Sequence, residues 1–590
     1  MPMPEVAAVA HKRSRRLNQV LRPVAVLAVL CLAVSLRWYR LAQSVLEGFD
    51  VWTYLRLSWE WATVAVQPEA AYAKAGFVLL GAAAGGVFGF SDLTLPFLNA
   101  SLDVLNAVLV LVLARLVGIG FISACVAMLL YACLPTAVIE ARNGLAHPAS
   151  ITFVLSACAL LLVRTSLPVS RITERYAAVV GAGLLAGYGG LIHPTVLLWT
   201  LALPLILVLY HATCLKSPAW LIEDLLLYVL ACTAPFCGFA LLVKKESAFW
   251  YKVQSFWHSI FGHGDDPAYM KAGFTFSLEK LRHYSVDMVY AHVLTPALFW
   301  TFLALALLAA WTGLRLHREG LSWSAAGKML FPTPLPLFSL ALICICIYLG
   351  LIARINGFEQ WFMGDRFFLP LAPFAILGGA ALLQAACQGL PRGGRTLLVG
   401  LTCTVALTSF WSLFPQYLYD RPPFYKALRD TFRKQGIVTD TNHKVLVVPD
   451  AGKHPMAVDY YFSPSDFVTT GIPQNEETFT AFLAENHIRY ILFSPVVYLR
   501  LTSREGQPAV MASEDPKVMA ELTEQVAFVT RFLMTRHGVP RLCQELAWPK
   551  DMYLRPMRLY AIGNHDYSAH LGSQNGRDNA FCLFDLGTRQ

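Results

Sequence analysis

Apolar stretches of about 20 residues repeat through the first 412 positions of the chain, with short polar segments between them. Because an α-helix rises about 1.5 Å per residue, a stretch of this length crosses the hydrocarbon core of a bilayer. Backbone polar groups in lipid must be satisfied internally, so helices are predicted; barrel strands would be shorter and alternating. The pattern predicts about eleven spans, near residues 22–41, 97–116, 119–139, 149–165, 176–192, 194–212, 221–243, 293–314, 333–353, 369–388 and 396–412.

The first span sets the predicted orientation. It follows the basic run HKRSRR (11–16), which favours a cytoplasmic N-terminus. The apolar stretch is long and no small-residue cleavage site is obvious, so we expect an uncleaved anchor instead of a signal peptide.

The stretch 75–91 decides the orientation of every later span, since it is apolar but short and rich in glycine. If it lies along the membrane surface, the arginine-bearing loops face the cytoplasm, as the positive-inside rule prefers. If it spans, the same loops lie outside. We therefore expect a surface segment here, and cytoplasmic positions for Arg164, Arg171, Arg175, Arg315, Arg318, Arg392 and Arg395.

The predicted external part contains two long loops, 42–96 and 244–292, two short segments, 140–148 and 354–368, and everything after residue 412. The loop 244–292 is rich in aromatic residues, so we expect interfacial helices in it.

The chain changes character after residue 412, where charged residues, Asn, Pro and short apolar runs replace the long apolar stretches. The predicted elements there are strand 444–450, helix 476–487 and strand 488–495, with 558–563 and 581–586 as candidate further strands. The predicted fold class is thus an all-α polytopic membrane domain, residues 1–412, followed by an external soluble α/β domain, residues 413–590.

Composition agrees with this division. Of the 590 residues, 56% are hydrophobic and 14% are charged, whereas a soluble domain carries about 25% charged residues. The net charge is +9, and the basic residues cluster at helix ends, where they set the orientation of the helices in the membrane. No nucleic-acid partner is therefore expected. Eleven of the thirteen cysteines lie in or beside apolar segments without metal-ligand spacing, as small buried hydrophobes do. Cys543 and Cys582 lie beyond them and could pair in an oxidising space, which the sequence alone does not show.

Ionisable residues collect at the predicted external rim of the helices. Charged groups at membrane depth are costly and suggest function, although charges at helix ends can simply mark those ends. Few comparable groups are expected near the bilayer centre, where a transporter would place its site between repeated halves. A rim site suits chemistry on a lipid-linked substrate whose head group emerges at the surface. The rim residues are Asp50, Lys74, Asp103, Glu140, Arg142, His147, His193, Glu359, Asp365 and Arg366.

Asp50 opens an amphipathic aromatic stretch in the first external loop. Its carboxylate could act as a general base or bind an acceptor, and it could equally cap a helix by accepting backbone N–H bonds. Glu47 and Glu60 are weaker alternatives.

Two histidines could be either catalytic residues or turn residues at the membrane interface. His147 and His193 each precede a proline at a helix end, and we favour interfacial turn residues over catalysis.

No cofactor is expected with certainty. A divalent metal could bind His263, Asp265 and Asp266, but the run lacks fixed ligand spacing and a polar turn is the favoured interpretation.

Together these segments resemble the C-type (GT-C) glycosyltransferases, closest to the branch of protein O-mannosyltransferases and bacterial aminoarabinose transferases. Asp50 with Tyr54 and its aromatic helix resembles that branch's first-loop acidic motif. The resemblance covers roughly the first 412 residues in order. The similar segments are 71–118 (a Lys, an apolar stretch, Phe-Gly and a span ending in Ala-Arg), 141–162 (the second external loop), 181–199 (a Gly-rich helix pair) and 364–383 (an Arg-aromatic-Leu-Pro-x-x-Pro segment).

The resemblance implies transfer of a sugar from a polyprenyl-phosphate carrier to a lipid, glycan or protein acceptor on the external face of the membrane. The implied location is the bacterial inner membrane, as part of the cell envelope. Carried over by position, Asp50 would be the catalytic carboxylate, Lys74 would contact the carrier phosphate, and Arg366 could assist Lys74. Tyr54, Arg142 and His147 would bind substrate.

Two positions depart from that pattern. The family often has an acidic residue where His147 stands, which makes Glu140 the candidate second carboxylate. Its usual Lys-Pro-Pro is Lys-Ala-Gly at 74–76. Both departures keep two alternatives open: a lipid or sugar transporter or flippase, and a non-catalytic membrane scaffold of the same ancestry.

Overall fold

A computed structural model describes two compact units, Met1–Ala42 with Tyr54–Tyr419 (the helical unit) and Gln43–Thr53 with Asp420–Gln590 (the sheet unit). The described residues are 4–39, 41, 49–63, 74–167, 170–193, 195–215, 217–243, 278–354, 368–418, 432–434, 436, 439–440, 442–448, 467–468, 472–493, 524, 528–529, 531–533, 542–545 and 580–585.

Helices follow one another along the described part of the membrane region. The first eleven are α1 (Pro4–Trp38), α2 (Phe49–Thr63), α3 (Ala75–Phe88), α4 (Thr94–Leu116), α5 (Phe121–Ala132), α6 (Pro135–Ala141), α7 (His147–Ser166), α8 (Ile172–Ile192), α9 (Val196–Ala202), α10 (Leu205–Tyr210) and α11 (Pro218–Leu242). Six more are α12 (Leu278–Arg282), α13 (Pro296–Arg318), α14 (Trp323–Leu330), α15 (Pro334–Arg354), α16 (Ala372–Gln388) and α17 (Arg392–Leu418), with π-helices at His211–Leu215 and His283–Val293 and a 3-10 turn at Leu369–Leu371.

Among the described residues, nine helices are long and apolar enough to cross a membrane, and the bent pair α5 and α6 adds a tenth candidate. The chain is therefore an integral membrane protein. These ten candidates coincide with the predicted spans up to residue 388. The 27-residue helix α17 occupies the eleventh predicted position but is not in this set.

The span predicted at 119–139 is not one straight helix. Its two parts meet at an angle of 56°. Pro135 at the start of α6 has no N–H to donate to the preceding turn, and Leu134 before it is extended, with φ −68° and ψ 115°. An apolar pattern does not distinguish such a broken span from a straight one.

We call one end of the helical unit the histidine end. Helix α7 begins there at His147, and α8 ends there directly before His193. The rings of His147 and His193 lie 4.7 Å apart between centroids. Helix α4 begins at this end too, because Asn99 in its second turn donates to the carbonyl of Leu145 just before α7.

Helix α3 has both ends at the histidine end, so it does not cross the bundle. A Cβ on Gly76 would lie 2.9 Å from the backbone nitrogen of Ile192 at the end of α8. The last residue of α3, Phe88, is separated from the start of α4 at Thr94 by only a short turn. In this turn the Thr94 hydroxyl donates to the carbonyl of Gly89 over 3.2 Å.

The opposite end, here the arginine end, gathers the ends of α4, α7 and α13 and the start of α8. The backbone N–H of Gly120 donates to the Gln384 side chain, and the Thr333 hydroxyl donates to the carbonyl of Val117. Basic residues concentrate here: Arg115, Arg164, Arg171, Arg175, Arg315, Arg318, Arg392 and Arg395. That this end faces the cytoplasm stays a prediction from the positive-inside rule.

Close packing of α8 on α11 holds the middle of the helical unit together. A Cβ on Gly183 would lie 2.5 Å from the carbonyl oxygen of Tyr228, and one on Gly187 would overlap that of Cys232. Small residues permit this backbone approach, which replaces the hydrophobic drive that lipid does not supply.

In the sheet unit, five described strands form one sheet in the order β2-β1-β3-β5-β4, with bounds β1 Lys444–Val448, β2 Phe467–Val468, β3 Ile488–Phe493, β4 Leu542–Glu545 and β5 Ala580–Asp585. Strand β1 pairs parallel with β2 and β3, while β5 pairs antiparallel with β3 and β4. Helix α18 (Glu476–Glu485) precedes β3 and buries Phe479 in the core.

Strands β1, β3 and β5 and helix α18 occur where the sequence predicts them. Strands β2 and β4 were not predicted, because two residues and four residues are too short to show alternation. The candidate strand 558–563 lies outside the described residues.

Candidate functional site

A polar stripe on α4 organises the histidine end. The Asn99 amide donates to the carbonyls of Asn143 and Leu145, each over 2.6 Å. One turn and two turns later on the same face lie Asp103 and Asn106, and the Asn106 amide donates to the carbonyl of Pro148 over 3.1 Å. These bonds hold the turn between α6 and α7, which carries Arg142 and His147.

Asp103 lies at the centre of a buried network. Its carboxylate is 2.6 Å from the Arg37 Nε and accepts the Tyr131 hydroxyl over 2.6 Å and the Asn106 amide over 3.1 Å. Arg37 also donates to the carbonyl of Ala132 over 2.9 Å. Arg37 and Asp103 are almost completely buried, so the network joins α1, α4 and α5.

Asp103 is one of the residues expected at or near the external rim. It lies nine residues into α4, about 13 Å from the helix start at 1.5 Å per residue, and there it neutralises the buried guanidinium of Arg37. The sequence signal for this network is the spacing of Asn99, Asp103 and Asn106 by four and three residues in an otherwise apolar helix. The sequence does not indicate that Arg37 is the partner of Asp103.

The two histidines expected as separate turn residues are neighbours. Both are buried, and His193 caps the end of α8. Its Nδ1 accepts the backbone N–H of Thr195 over 3.3 Å and lies 2.7 Å from the Thr195 hydroxyl. In neutral His193 the proton is therefore on Nε2, and the imidazole can act as a donor there.

Lys74 is oriented by aromatic packing. Its ammonium lies 4.8 Å from the centroid of the Tyr54 ring, and that ring packs edge-on against Phe77 at 5.6 Å. The position precedes α3 and is half-buried, so the ammonium is held without being removed from water. The Tyr188 hydroxyl fixes the adjoining turn by donating to the carbonyl of Gly76 over 3.0 Å.

Gly76 joins the Lys74 turn to the histidine pair. It stands at the second departure from the resembled Lys-Pro-Pro motif, where a Cβ would meet the backbone of Leu191 and Ile192 at 2.9 Å. Since Ile192 precedes His193, the Lys74 turn and the histidine pair are linked through the contact of Gly76 with Ile192. Glu140 and Arg142 end α6 at the same end of the bundle.

No family model and no curated protein matches the sequence. Solved structures do. Crystal structures of ArnT from Cupriavidus metallidurans, one bound to undecaprenyl phosphate and one in the apo state, match with TM-scores of 0.53 and 0.52 at 14% and 13% identity. The match to the bound structure covers 84% of this chain and 96% of ArnT. This chain has the C-type glycosyltransferase fold.

A second similarity is to the archaeal oligosaccharyltransferase AglB from Archaeoglobus fulgidus, in complex with an inhibitory peptide and a dolichol-phosphate. It has 15% identity and a TM-score of 0.48, and it covers 82% of this chain and 70% of AglB.

Within this C-type glycosyltransferase fold, several predicted site residues are not placed. The backbone of Asp50 lies in the first turn of α2, but its side chain is outside the described residues. Glu359, Asp365 and Arg366 also lie outside them, as does the candidate metal run 263–266. Among the residues that the structure does describe, no group of three His, Cys, Asp or Glu side chains could hold a metal ion.

Proposed function

We propose that this chain is a membrane glycosyltransferase that uses a polyprenyl-phosphate sugar at its histidine end. The observation that carries the proposal is the shared fold with ArnT, whose crystal structure contains undecaprenyl phosphate. The half-buried Lys74 ammonium at that end adds the cation that a phosphate carrier needs.

In the proposed reaction, the oxygen of an acceptor hydroxyl attacks the anomeric carbon of the sugar while the bond from that carbon to the carrier phosphate oxygen breaks. The electron pair of the broken bond stays on the polyprenyl phosphate. Lys74, and Arg366 as carried over from the resemblance, would stabilise the charge that grows there. Lys74 is oriented in advance by Tyr54, so little reorganisation is needed as the charge develops.

The acceptor proton would pass to Asp50. This assignment rests on the resemblance of Asp50 with Tyr54 and its aromatic helix to the first-loop acidic motif. Glu140 remains the candidate second carboxylate, and Arg142 and His147 the candidate substrate-binding residues on the turn held by Asn99.

The test uses membranes containing the full chain and a labelled polyprenyl-phosphate sugar. Release of free polyprenyl phosphate together with a labelled acceptor supports the proposal. Movement of the label across the bilayer without release would instead identify a transporter. The absence of both release and movement would identify a scaffold.

Lys74→Ala is expected to weaken donor binding by about tenfold or more, since one charge-assisted bond contributes about 1.5–3 kcal/mol. Lys328→Ala is the matched control, because Lys328 is an exposed lysine at the arginine end. Equal donor affinity in both variants would remove Lys74 from the site.

Asp50→Asn is expected to keep donor binding and to lower turnover about 10²–10⁴-fold, the usual size of a general-base contribution. Turnover equal to that of the unmodified protein would remove Asp50 from the mechanism.

A further inference from the structure

A second cluster of buried charges lies at the arginine end, away from the proposed active site. Arg164 in the last turn of α7 is completely buried, and its Nη2 and Nε lie 2.5 and 3.4 Å from the Asp224 carboxylate on α11. The same carboxylate is 2.8 Å from Nε2 of His211, also buried. Asp224 is thus already shared between a guanidinium and an imidazole.

Arg175 adds a further cation beside this group. Its guanidinium carbon lies 4.9 Å from the centroid of the Trp220 ring, its residue is 3% exposed, and it is within electrostatic range of Arg164. It makes no hydrogen bond or ion pair with the residues that the structure describes, and its Nε is buried without a partner. The nearby Glu223 carboxylate accepts the Tyr176 hydroxyl over 2.6 Å.

One further donor is left over in the same cluster. Arg164 Nη1 is buried and has no hydrogen-bond partner in the described part of the chain. A buried guanidinium without an anion is strongly unfavourable, because desolvation is not offset by a partner. An oxyanion bound between α8 and α11 would satisfy Arg175 and Arg164 together.

The surroundings favour a lipid source for that anion. Ile172 on α8 and Ile222 and Leu226 on α11 are exposed large apolar residues flanking the cluster. Guanidinium groups bind phosphate oxygens in pairs of parallel bonds, and basic pockets between membrane helices bind lipid head groups. We propose that Arg175, Trp220 and Arg164 form a binding site for the phosphate of an anionic phospholipid, independent of the proposed transferase activity.

The experiment measures lipid retained by the delipidated full chain, using native mass spectrometry after addition of phosphatidylglycerol or phosphatidylcholine. Arg175→Gln is expected to reduce phosphatidylglycerol binding about tenfold, the loss of one or two charge-assisted bonds. Arg171→Gln is the matched control, since Arg171 directly precedes the same helix but is exposed and pairs with Glu174 at 3.2 Å.

A second measurement guards against a folding defect. Phosphatidylglycerol is expected to raise the unfolding temperature of the unmodified protein and of Arg171→Gln, but not that of Arg175→Gln. Equal binding by all three proteins, or no preference over phosphatidylcholine, would overturn the site. Saturable binding of inorganic phosphate alone, with no phosphatidylglycerol effect, would overturn the lipid source.

A different observation, in the sheet unit, carries a second inference. Cys543 on β4 and Cys582 on β5 are register partners in the antiparallel pair. They are the only cysteines that follow Cys403 in the sequence. Directly opposed residues of antiparallel strands have Cα atoms about 4.5–5.5 Å apart, within the range of about 4.4–6.8 Å that a disulfide requires.

The register points to a disulfide between Cys543 and Cys582. One thiolate attacks the disulfide of an external thiol oxidase and forms a mixed disulfide; the second thiolate then displaces it. Two protons and two electrons leave the cysteines, and the oxidase disulfide becomes a dithiol. The step therefore requires the predicted external position of the sheet unit.

The test traps thiols by alkylation during lysis, then digests the full chain without reductant. A linked peptide pair containing Cys543 and Cys582 is expected, whereas cysteines of the helical unit, which are free in the structure, should be alkylated. Cys543→Ser should expose Cys582 to alkylation. Alkylation of both residues in the unmodified protein would overturn the disulfide.

Discussion

The pair Arg37–Asp103 offers a direct test of how the histidine end is stabilised. Both side chains are almost completely buried at a separation of 2.6 Å. Replacing Asp103 with Leu leaves the Arg37 guanidinium buried without its carboxylate and removes the acceptor used by Tyr131 and Asn106. Replacing Arg37 with Met leaves the carboxylate without its cation.

The expected magnitudes differ between the single and double variants. Breaking a buried pair by removing one partner costs about 3–5 kcal/mol, because the remaining charge is uncompensated. Removing both charges leaves the lost hydrogen bonds of Tyr131 and Asn106 to Asp103 and of Arg37 to Ala132, each about 1 kcal/mol. The double variant, Arg37→Met with Asp103→Leu, should therefore lose about 3 kcal/mol, less than the sum of about 6–10 kcal/mol for the two single variants.

The assay is reversible unfolding of the purified chain in mixed micelles, with the free energy of unfolding measured for all four members of the cycle. Glu319→Gln is the matched control, because the Arg315–Glu319 pair has a similar distance of 2.7 Å but is exposed. The control should lose no more than about 1 kcal/mol.

Two results would refute this reasoning. A double variant at least as destabilised as the sum of the singles would show that the charges are not coupled. A loss from Asp103→Leu as small as that from Glu319→Gln would show that burial of this pair has no energetic consequence.

Local geometry supports three further predictions. Gly187→Ala should destabilise the chain by about 1–3 kcal/mol by separating α8 from α11, measured by unfolding in micelles, whereas Gly238→Ala, with nothing within 4 Å of its Cβ, should not. Asn99→Ala should release the turn before α7 and lower turnover in the transferase assay, and unchanged turnover would show that this turn needs no anchor. The hydrogen bond from His443 lowers the pKa of the exposed Asp440 carboxyl. The contribution of this bond to folding stability is therefore present at neutral pH and is lost as the pH falls through the lowered pKa. In His443→Ala, NMR of the carboxyl group should show that the pKa of Asp440 rises.

The sequence by itself determined the membrane class and most helix positions. Crossing lipid requires about 20 apolar residues with internally satisfied backbone, and each span meets this demand within its own local sequence. The break at Pro135 was missed, because periodicity and length are nearly unchanged when a span bends.

The candidate site was predictable only in part. Local motifs drew attention to Tyr54, Lys74 and His147, but nothing local indicates that Gly76 brings the Lys74 turn against Ile192. The contact depends on the packing of α3 on α8, two elements separated by about a hundred residues, and packing distances are not encoded in a single segment.

The tertiary structure alone decided which polar residues are partners. Arg37 and Asp103, or Arg164 and Asp224, are each about 60 positions apart, and their identity as pairs depends on which helix faces meet. A sequence shows that a charged residue in an apolar helix is costly, but the compensating group is set by long-range packing. The register that opposes Cys543 and Cys582 has the same origin, because strand pairing is a property of the whole sheet.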